Sequence, residues 1–287
     1  MNEKEIDFDV HIVNLPEQEN QSPWFLQINP KGEIPALKHG ERIINGSDNI
    51  LDYIERQKLG KRSLVPGDSS GLKKYKHWMS KLEPLPIFPL TYGTAYHPHI
   101  RKVQKGPLIG SRYEAMKNFV DNRSATLRKK AAENAGTPAE AVLLAKADAH
   151  DKQLHLFTSE VEHKRILKEI DEMLNQIENE LKSHKDKNWL ISDEFTAADC
   201  ILAVLLNRLH WIGHENYVIN EKRPLLKKYW GKLQASDTFI KSTYVPNLAL
   251  YMIKDKISKN AELIFGYALL PIMSGLVYYG LTSMWPK

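Results

Sequence analysis

At 287 residues, with 42% hydrophobic and 26% charged side chains, the chain has the composition of a globular protein of one large domain or two ordinary ones, which excludes an intrinsically disordered polymer. Its single cysteine, Cys200, excludes an internal disulfide and suits a reducing compartment. The net charge of +5 is modest, and its basic excess lies downstream of residue 70 without the interleaved aromatics of a single-strand nucleic-acid platform.

The charged opening Met1-Asn2-Glu3-Lys4-Glu5 precedes no apolar run, so no secretory signal peptide is expected. Ile6, Phe8, Val10 and Ile12 then alternate with Asp7, Asp9 and His11, the period-2 pattern of a half-buried strand. A polar stretch over 17–22 leads to a short helix around Pro23-Trp24-Phe25-Leu26. In Asn29-Pro30-Lys31-Gly32-Glu33-Ile34-Pro35-Ala36-Leu37, Pro30 and Gly32 mark a turn, and Pro35 stands at the mouth of a strand over 36–39. Gly40 turns that strand into another over 41–44, after which Asn45-Gly46-Ser47-Asp48 offers N-caps for a helix through Ile50, Leu51, Tyr53 and Ile54.

A charged linker rich in Pro, Gly and Ser covers 58–70, and helical periodicity follows. Tyr75, Trp78, Met79 and Leu82 share one face of a helix stopped by Pro84 and Pro86. Nine cations cluster between Arg101 and Lys130, suited either to anionic lipid or an acidic partner or to a solvated helical surface. Residues 100–155 exceed an ordinary helix connection and hold helical segments over 125–134 and 139–150, broken by Gly136 and Pro138. His150, His155 and His163 lack a one-face spacing and a nearby cysteine, so no metal is expected. Ser159-x-x-Glu162 forms a capping-box pattern before Ile166, Leu167, Ile170, Met173, Leu174, Ile177 and Leu181, a stripe read as core packing over a coiled-coil seam. Thr196 and Asp199 form a second capping-box pair, whose loss would cost ~1 kcal/mol per cap. Cys200, in the first turn of that helix, is either a small buried core residue or a thiol of lowered pKa.

From Leu263 to Pro286 no residue is charged. About 20 helical residues at ~1.5 Å each match the ~30 Å hydrocarbon core of a bilayer. The nine Leu, Ile, Phe and Val residues contribute roughly −3 to −5 kcal/mol to insertion, partly offset by Gly266, Gly275, Gly280 and Pro271. Tyr278, Tyr279 and Trp285 suit a headgroup interface, with Lys254, Lys256 and Lys259 on the cytosolic side. The expectation is a single C-terminal anchor over about 263–284. The alternative is a buried core helix, which would need protein on every side. A second apolar stretch over 245–257 suits either the interface or the helical domain.

The run Asn29-Pro30-x-Gly32-x-Ile34-Pro35-x-Leu37 resembles the signature of glutathione transferases. The resemblance implies a cis-proline at Pro35, with the Ile34 backbone exposed to pair with the cysteinyl unit of glutathione, and a γ-glutamyl grip by Ser47 and Asp48 at a helix N-terminus. Here Gly46 stands where the family has an acidic or amide residue before Ser47. The family's first strand and helix carry the thiol-activating Tyr, Ser or Cys, and this chain begins at the end of that helix, so no catalytic residue is expected. A chain without that strand leaves the strand at 6–13 short of its main partner. Thr196 and Asp199 match the family's structural cap.

The insert and tail, with Pro23-Trp24-Phe25, Glu33-Ile34-Pro35, Asp52-Tyr53, His97-Pro98, Phe195-Thr196-x-Ala198-Asp199, Arg208-Leu209 and Arg223-Pro224, resemble the ganglioside-induced differentiation-associated branch. The resemblance implies an α+β, glutathione-transferase-like fold. A thioredoxin-like domain incomplete at its N-terminus would cover 1–60, a linker 61–70, an all-α domain with insert 71–249, and a tail with a transmembrane helix 250–287. It also implies a cytosol-facing protein of the mitochondrial outer membrane and peroxisomes, acting by interaction in organelle fission and redox balance. No cofactor is required, glutathione is admitted as a ligand, and a homodimer is admitted. The competing reading is an active transferase conjugating glutathione to electrophiles.

Overall fold

In the computed structural model, residues 1–15, 18–101, 110–184, 188–218 and 221–243 are described. Chain contacts divide the protein into Met1–Ile240 and Lys241–Lys287. Among the described residues no helix is long and apolar enough to cross a membrane. The anchor expected over 263–284 and the apolar stretch over 245–257 lie outside them.

The N-terminal region is built on a hairpin. After α1 (Pro23–Ile28), β1 (Ala36–His39) pairs antiparallel with β2 (Arg42–Asn45), with Leu37 opposite Ile44 and His39 opposite Arg42. The two-residue connection Gly40–Glu41 puts Gly40 at φ +60°, as a type II′ turn requires at its first central position. The helix α2 (Ser47–Arg56) follows, capped by Gly46 without a side-chain bond.

The strand expected over residues 6–12 is not formed. A strand is held by ladder hydrogen bonds, and among the described residues no strand partners this segment. Phe8 and Val10 are 43% and 69% exposed, so the period-2 pattern faces a groove and not a sheet core. The chain start is tied down in another way. Lys4, fully buried, donates to Glu55 Oε1 at 2.7 Å and to the Arg62 carbonyl at 2.5 Å, stapling the N-terminus to α2 and to the linker.

The helical region packs α3 (Ser69–Leu82), α4 (Ile87–Tyr96), α8 (Glu160–Ser183), α9 (Ala197–Trp211) and α11 (Pro224–Gln234) around one apolar core. Both predicted stripes lie inside it: Tyr75, Trp78, Met79 and Leu82 from α3, and Ile166 to Leu181 from α8. The Ser159 side chain caps α8 by accepting from the Glu162 N–H. The chain also forms the short helices α7 (His155–Thr158), α10 (Glu215–Val218) and α12 (Asp237–Thr243).

The insert is a helical hairpin. Its first helix, α5 (Gly110–Glu133), is much longer than the segment read from the sequence; α6 (Pro138–Gln153) returns along it after the turn at Gly136. The hairpin has its own small core of Leu127, Ala131, Leu143 and Ala147, which Leu26 of α1 joins. Part of the basic cluster is engaged within the protein: Arg101 lies 4.4 Å over the Tyr113 ring, and Arg128 pairs with Asp148 and Asp151. Lys102 and Lys105 lie outside the described residues.

Candidate functional site

The segment 29–35 is held rigidly so that it presents a peptide edge. Buried Asn29 donates through Nδ2 to the Glu33 carbonyl at 2.7 Å and accepts from the Lys31 N–H at 3.1 Å. The side-chain amides of Asn20 and Gln21 converge on the Gly32 carbonyl at 2.8 and 3.2 Å. Gly32 has φ +57°, and a Cβ there would come within 2.7 Å of the Asn20 carbonyl, so only glycine fits this clamp. Beyond it the Ile34–Pro35 peptide bond is cis.

The hairpin register decides which way this edge faces. The Gly46 N–H donates to the Pro35 carbonyl at 3.0 Å, so Pro35, Leu37 and His39 point their polar groups at β2. The peptide groups of Ile34, Ala36 and Lys38 therefore face the other way, and they make no hydrogen bond among the described residues. Ile34 is 46% exposed, so the edge is reachable from solvent.

Ser47 and Asp48 stand in the first turn of α2, one and two residues after the Gly46 that bonds to Pro35. The unspent N–H groups of that turn and the Ser47 hydroxyl suit a carboxylate. The four residues proposed for glutathione from the sequence, Ile34, Pro35, Ser47 and Asp48, thus occur together at one end of the hairpin.

A groove of about 1100 Å³ runs along this edge, walled on the far side by Ile6, Phe8, Ile12 and Val13 and floored by Trp24, Phe25 and Ile28. Its ionisable side chains are Asp7, Asp9, His11, Lys38 and His39. His11 stands edge-on to Trp24, and the His39 ring shares a 2.8 Å hydrogen bond with the Tyr53 hydroxyl.

Thr196 and Asp199 form the expected capping box at the start of α9, with the Thr196 N–H donating to the carboxylate at 2.8 Å. Cys200 beside it is corrected from one of its two readings. Burial pushes its thiol up to about 11, and the neighbouring Asp199 charge adds to the rise, so the helix terminus does not activate it. His150 donates through Nε2 to the Val120 carbonyl at 2.9 Å and stacks on Phe157. Among the described residues no group of three His, Cys, Asp or Glu could hold a metal ion.

A histidine cluster was not legible in the sequence. The rings of His97 and His214 flank His163 at 5.6 and 6.1 Å, drawn together from three separate parts of the chain. Burial holds His163 down to about 4 and His214 to about 3. His163 packs against Gly93, where a Cβ would lie 2.5 Å from Nδ1.

Comparison with known proteins bears on the fold. The family model described as "Glutathione S-transferase, N-terminal domain" matches residues 1–57, and that described as "Glutathione S-transferase, C-terminal domain" matches residues 129–237. The chain is 28% identical over 281 residues to mouse ganglioside-induced differentiation-associated protein 1-like 1, covering 88% of this chain and 73% of that protein. It is 26% identical over 253 residues to tetrachloro-p-hydroquinone reductive dehalogenase of Sphingobium chlorophenolicum, covering 86% of this chain and 90% of that one. Among solved structures, beta-etherase LigF from Sphingobium sp. strain SYK-6 superposes with a TM-score of 0.59 at 19% identity, over 84% of this chain and 89% of that one. The fold is that of a glutathione transferase.

Proposed function

We propose that this chain, which carries the N- and C-terminal domains of a glutathione transferase, is a membrane-tethered recognition module that holds glutathione without conjugating it. The observation that carries the reading is the outward-facing edge of Ile34, Ala36 and Lys38 beside the first turn of α2. An extended tripeptide adds to such an edge as a strand, spending its own peptide groups on the protein's. The free N–H groups of α2 and Ser47 then receive its γ-glutamyl carboxylate.

Conjugation needs more than binding. A thiol of pKa near 8.5 becomes a thiolate at neutral pH only beside a donor or cation that stabilises the charge. In the groove lining the carboxylates of Asp7 and Asp9 stand against Lys38 and the Met1 ammonium, so its fixed charges give a thiolate no net stabilisation.

The uncharged run 263–286 tethers this body to the mitochondrial outer membrane, and to peroxisomes, on the cytosolic side. There it acts by interaction in organelle fission and redox homeostasis, with the basic insert meeting a partner or anionic lipid. Confinement to a surface raises the effective concentration of both without a new contact. The similarity to a ganglioside-induced differentiation-associated protein over 88% of the chain supports this placement.

The test uses the purified full chain in mild detergent. Retention on immobilised glutathione, together with no consumption of 1-chloro-2,4-dinitrobenzene above the solution rate, is the result expected. Turnover well above that rate replaces the recognition reading with an active transferase. Alkaline extraction of cell membranes checks the tether, which fails if the protein leaves with the soluble fraction.

A further inference from the structure

The positive charge of the chain collects just ahead of its uncharged run. Residues 221–262 hold nine Lys and Arg against four Asp and Glu, a net +5 that equals the net charge of the whole chain. The rest of the sequence is neutral in sum. Of this stretch, α11 shows how the cations are presented.

α11 carries three lysines and no acid. Leu226, Tyr229, Trp230 and Leu233 turn into the core, which leaves Lys227, Lys228, Gly231 and Lys232 along one exposed strip. Arg223, at the N-cap, is spent inside on the Asp171 carbonyl and on Asn175. Lys227 and Lys228 have no ion pair or side-chain hydrogen bond among the described residues. Lys232 donates to the Asn188 carbonyl at 3.0 Å and lies 4.0 Å over the Trp189 ring, so its charge also meets no carboxylate in contact. Lys228 and Lys232 stand one turn apart, a like-charge pair that repels. Burial pulls the Lys232 ammonium below its usual pKa range, the charges of Asp199 and Asp193 oppose this, and Lys228 adds to it. Between the lysines, Gly231 has open space where a Cβ would stand. Nothing in the protein crowds that position, so the glycine leaves the helix backbone open to a surface lying across the lysines.

The occupant follows from charge and from place in the chain. A solvated helix face ordinarily mixes both signs, and this one holds only cations. The 22 residues between Ile240 and the uncharged run are net positive as well. Lysines gathered beside an apolar span are drawn to anionic headgroups. An acidic protein would meet the same lysines but gives no reason for the charge to collect there.

We infer that the face of α11 formed by Lys227, Lys228 and Lys232 lies on an anionic lipid surface, with its ammonium groups among headgroup phosphates and carboxylates. The inference rests on the membrane placement proposed above, though not on insertion of the tail. It adds an electrostatic contact made by the folded body itself.

The experiment dilutes the full chain from mild detergent into preformed vesicles of phosphatidylcholine, alone or mixed with phosphatidylserine. Vesicles are recovered by flotation, and lysine acetylation is read by mass spectrometry against exposed Lys31. On the mixed vesicles Lys227 and Lys228 are expected to react about fivefold more slowly than on phosphatidylcholine, the size of one lysine's attraction to an anionic surface. High salt restores the rate. Replacing both by glutamine, Lys227→Gln with Lys228→Gln, removes the protection of Lys232; circular dichroism establishes that this variant is folded, and the salt dependence of the parent chain decides if it is not. Equal relative rates on the two vesicles overturn the inference, and flotation with phosphatidylcholine then leaves the tether standing. Flotation with the mixed vesicles alone, with α11 protected, keeps the inference and removes the tether. Protection by soluble polyglutamate with none on either vesicle overturns it in favour of an acidic protein.

Discussion

The Tyr229 hydroxyl donates to Asp199 Oδ1 at 2.6 Å inside the helical core, joining α11 to the first turn of α9. The same carboxylate accepts from the Leu190 N–H at 2.9 Å and from the N–H and hydroxyl of Thr196, both at 2.8 Å. One fully buried side chain therefore fixes a loop, a helix start and a neighbouring helix. Asp199→Ala leaves these donors without acceptors and is expected to destabilise the fold by about 3 kcal/mol or more. Tyr229→Phe removes one partner and is expected to cost about 1 kcal/mol. Urea unfolding of the two variants checks the order.

Gly93 and His163 form a second dependency. Alanine is ordinarily better than glycine inside a helix by about 1 kcal/mol. Here the added Cβ would meet the His163 ring at 2.5 Å, and the ring is fully buried. Gly93→Ala is therefore expected to destabilise by about 1–3 kcal/mol. In a His163→Ala background the clash is gone, and the same substitution becomes neutral or stabilising. A double-mutant cycle measures the coupling.

The histidine cluster sets an acid limit. His163 has a folded pKa of about 4 against the ordinary imidazole value of 6.5, because burial disfavours the imidazolium and His97 repels it. The folded state binds fewer protons, so this stability is intact above pH 6.5 and is lost as pH falls toward 4. The loss from His163 is about 2 kcal/mol by pH 5, and His214, held near 3, adds to it. Urea midpoints at pH 7 and pH 5 should differ less for His163→Leu than for the parent chain.

Cys200 is expected to be inert in the native protein. A thiol pushed up to about 11 carries almost no thiolate at neutral pH. Iodoacetamide at pH 7.4 should leave the native chain unmodified over a period in which it alkylates the urea-unfolded chain completely. Intact mass reads the difference.

The parts of the fold legible in the sequence are those in which one element carries its own signal. The α3 and α8 stripes show the 3.6 period, and every residue read as facing inward is buried. The turn around Gly32 and the cap at Thr196 depend on contiguous residues and were visible, whereas the cis bond at Pro35 was implied by the family resemblance alone. The segment 6–12 shows where a local pattern fails. Alternation gives a chain two faces but supplies no neighbouring strand, and without one Phe8 and Val10 stay exposed. The first half of α5 was missed although Tyr113, Met116 and Val120 recur there at helical spacing, with Tyr113 and Val120 buried. The cluster of His97, His163 and His214 is assembled by packing from different elements, which no local pattern shows.

The most direct test of the recognition reading is amide hydrogen exchange of the full chain with and without glutathione. Slower exchange is expected at Ile34, Ala36 and Lys38 and in the first turn of α2 when glutathione is present, because those N–H groups acquire acceptors. Unchanged exchange across 33–49 at saturating glutathione would contradict it.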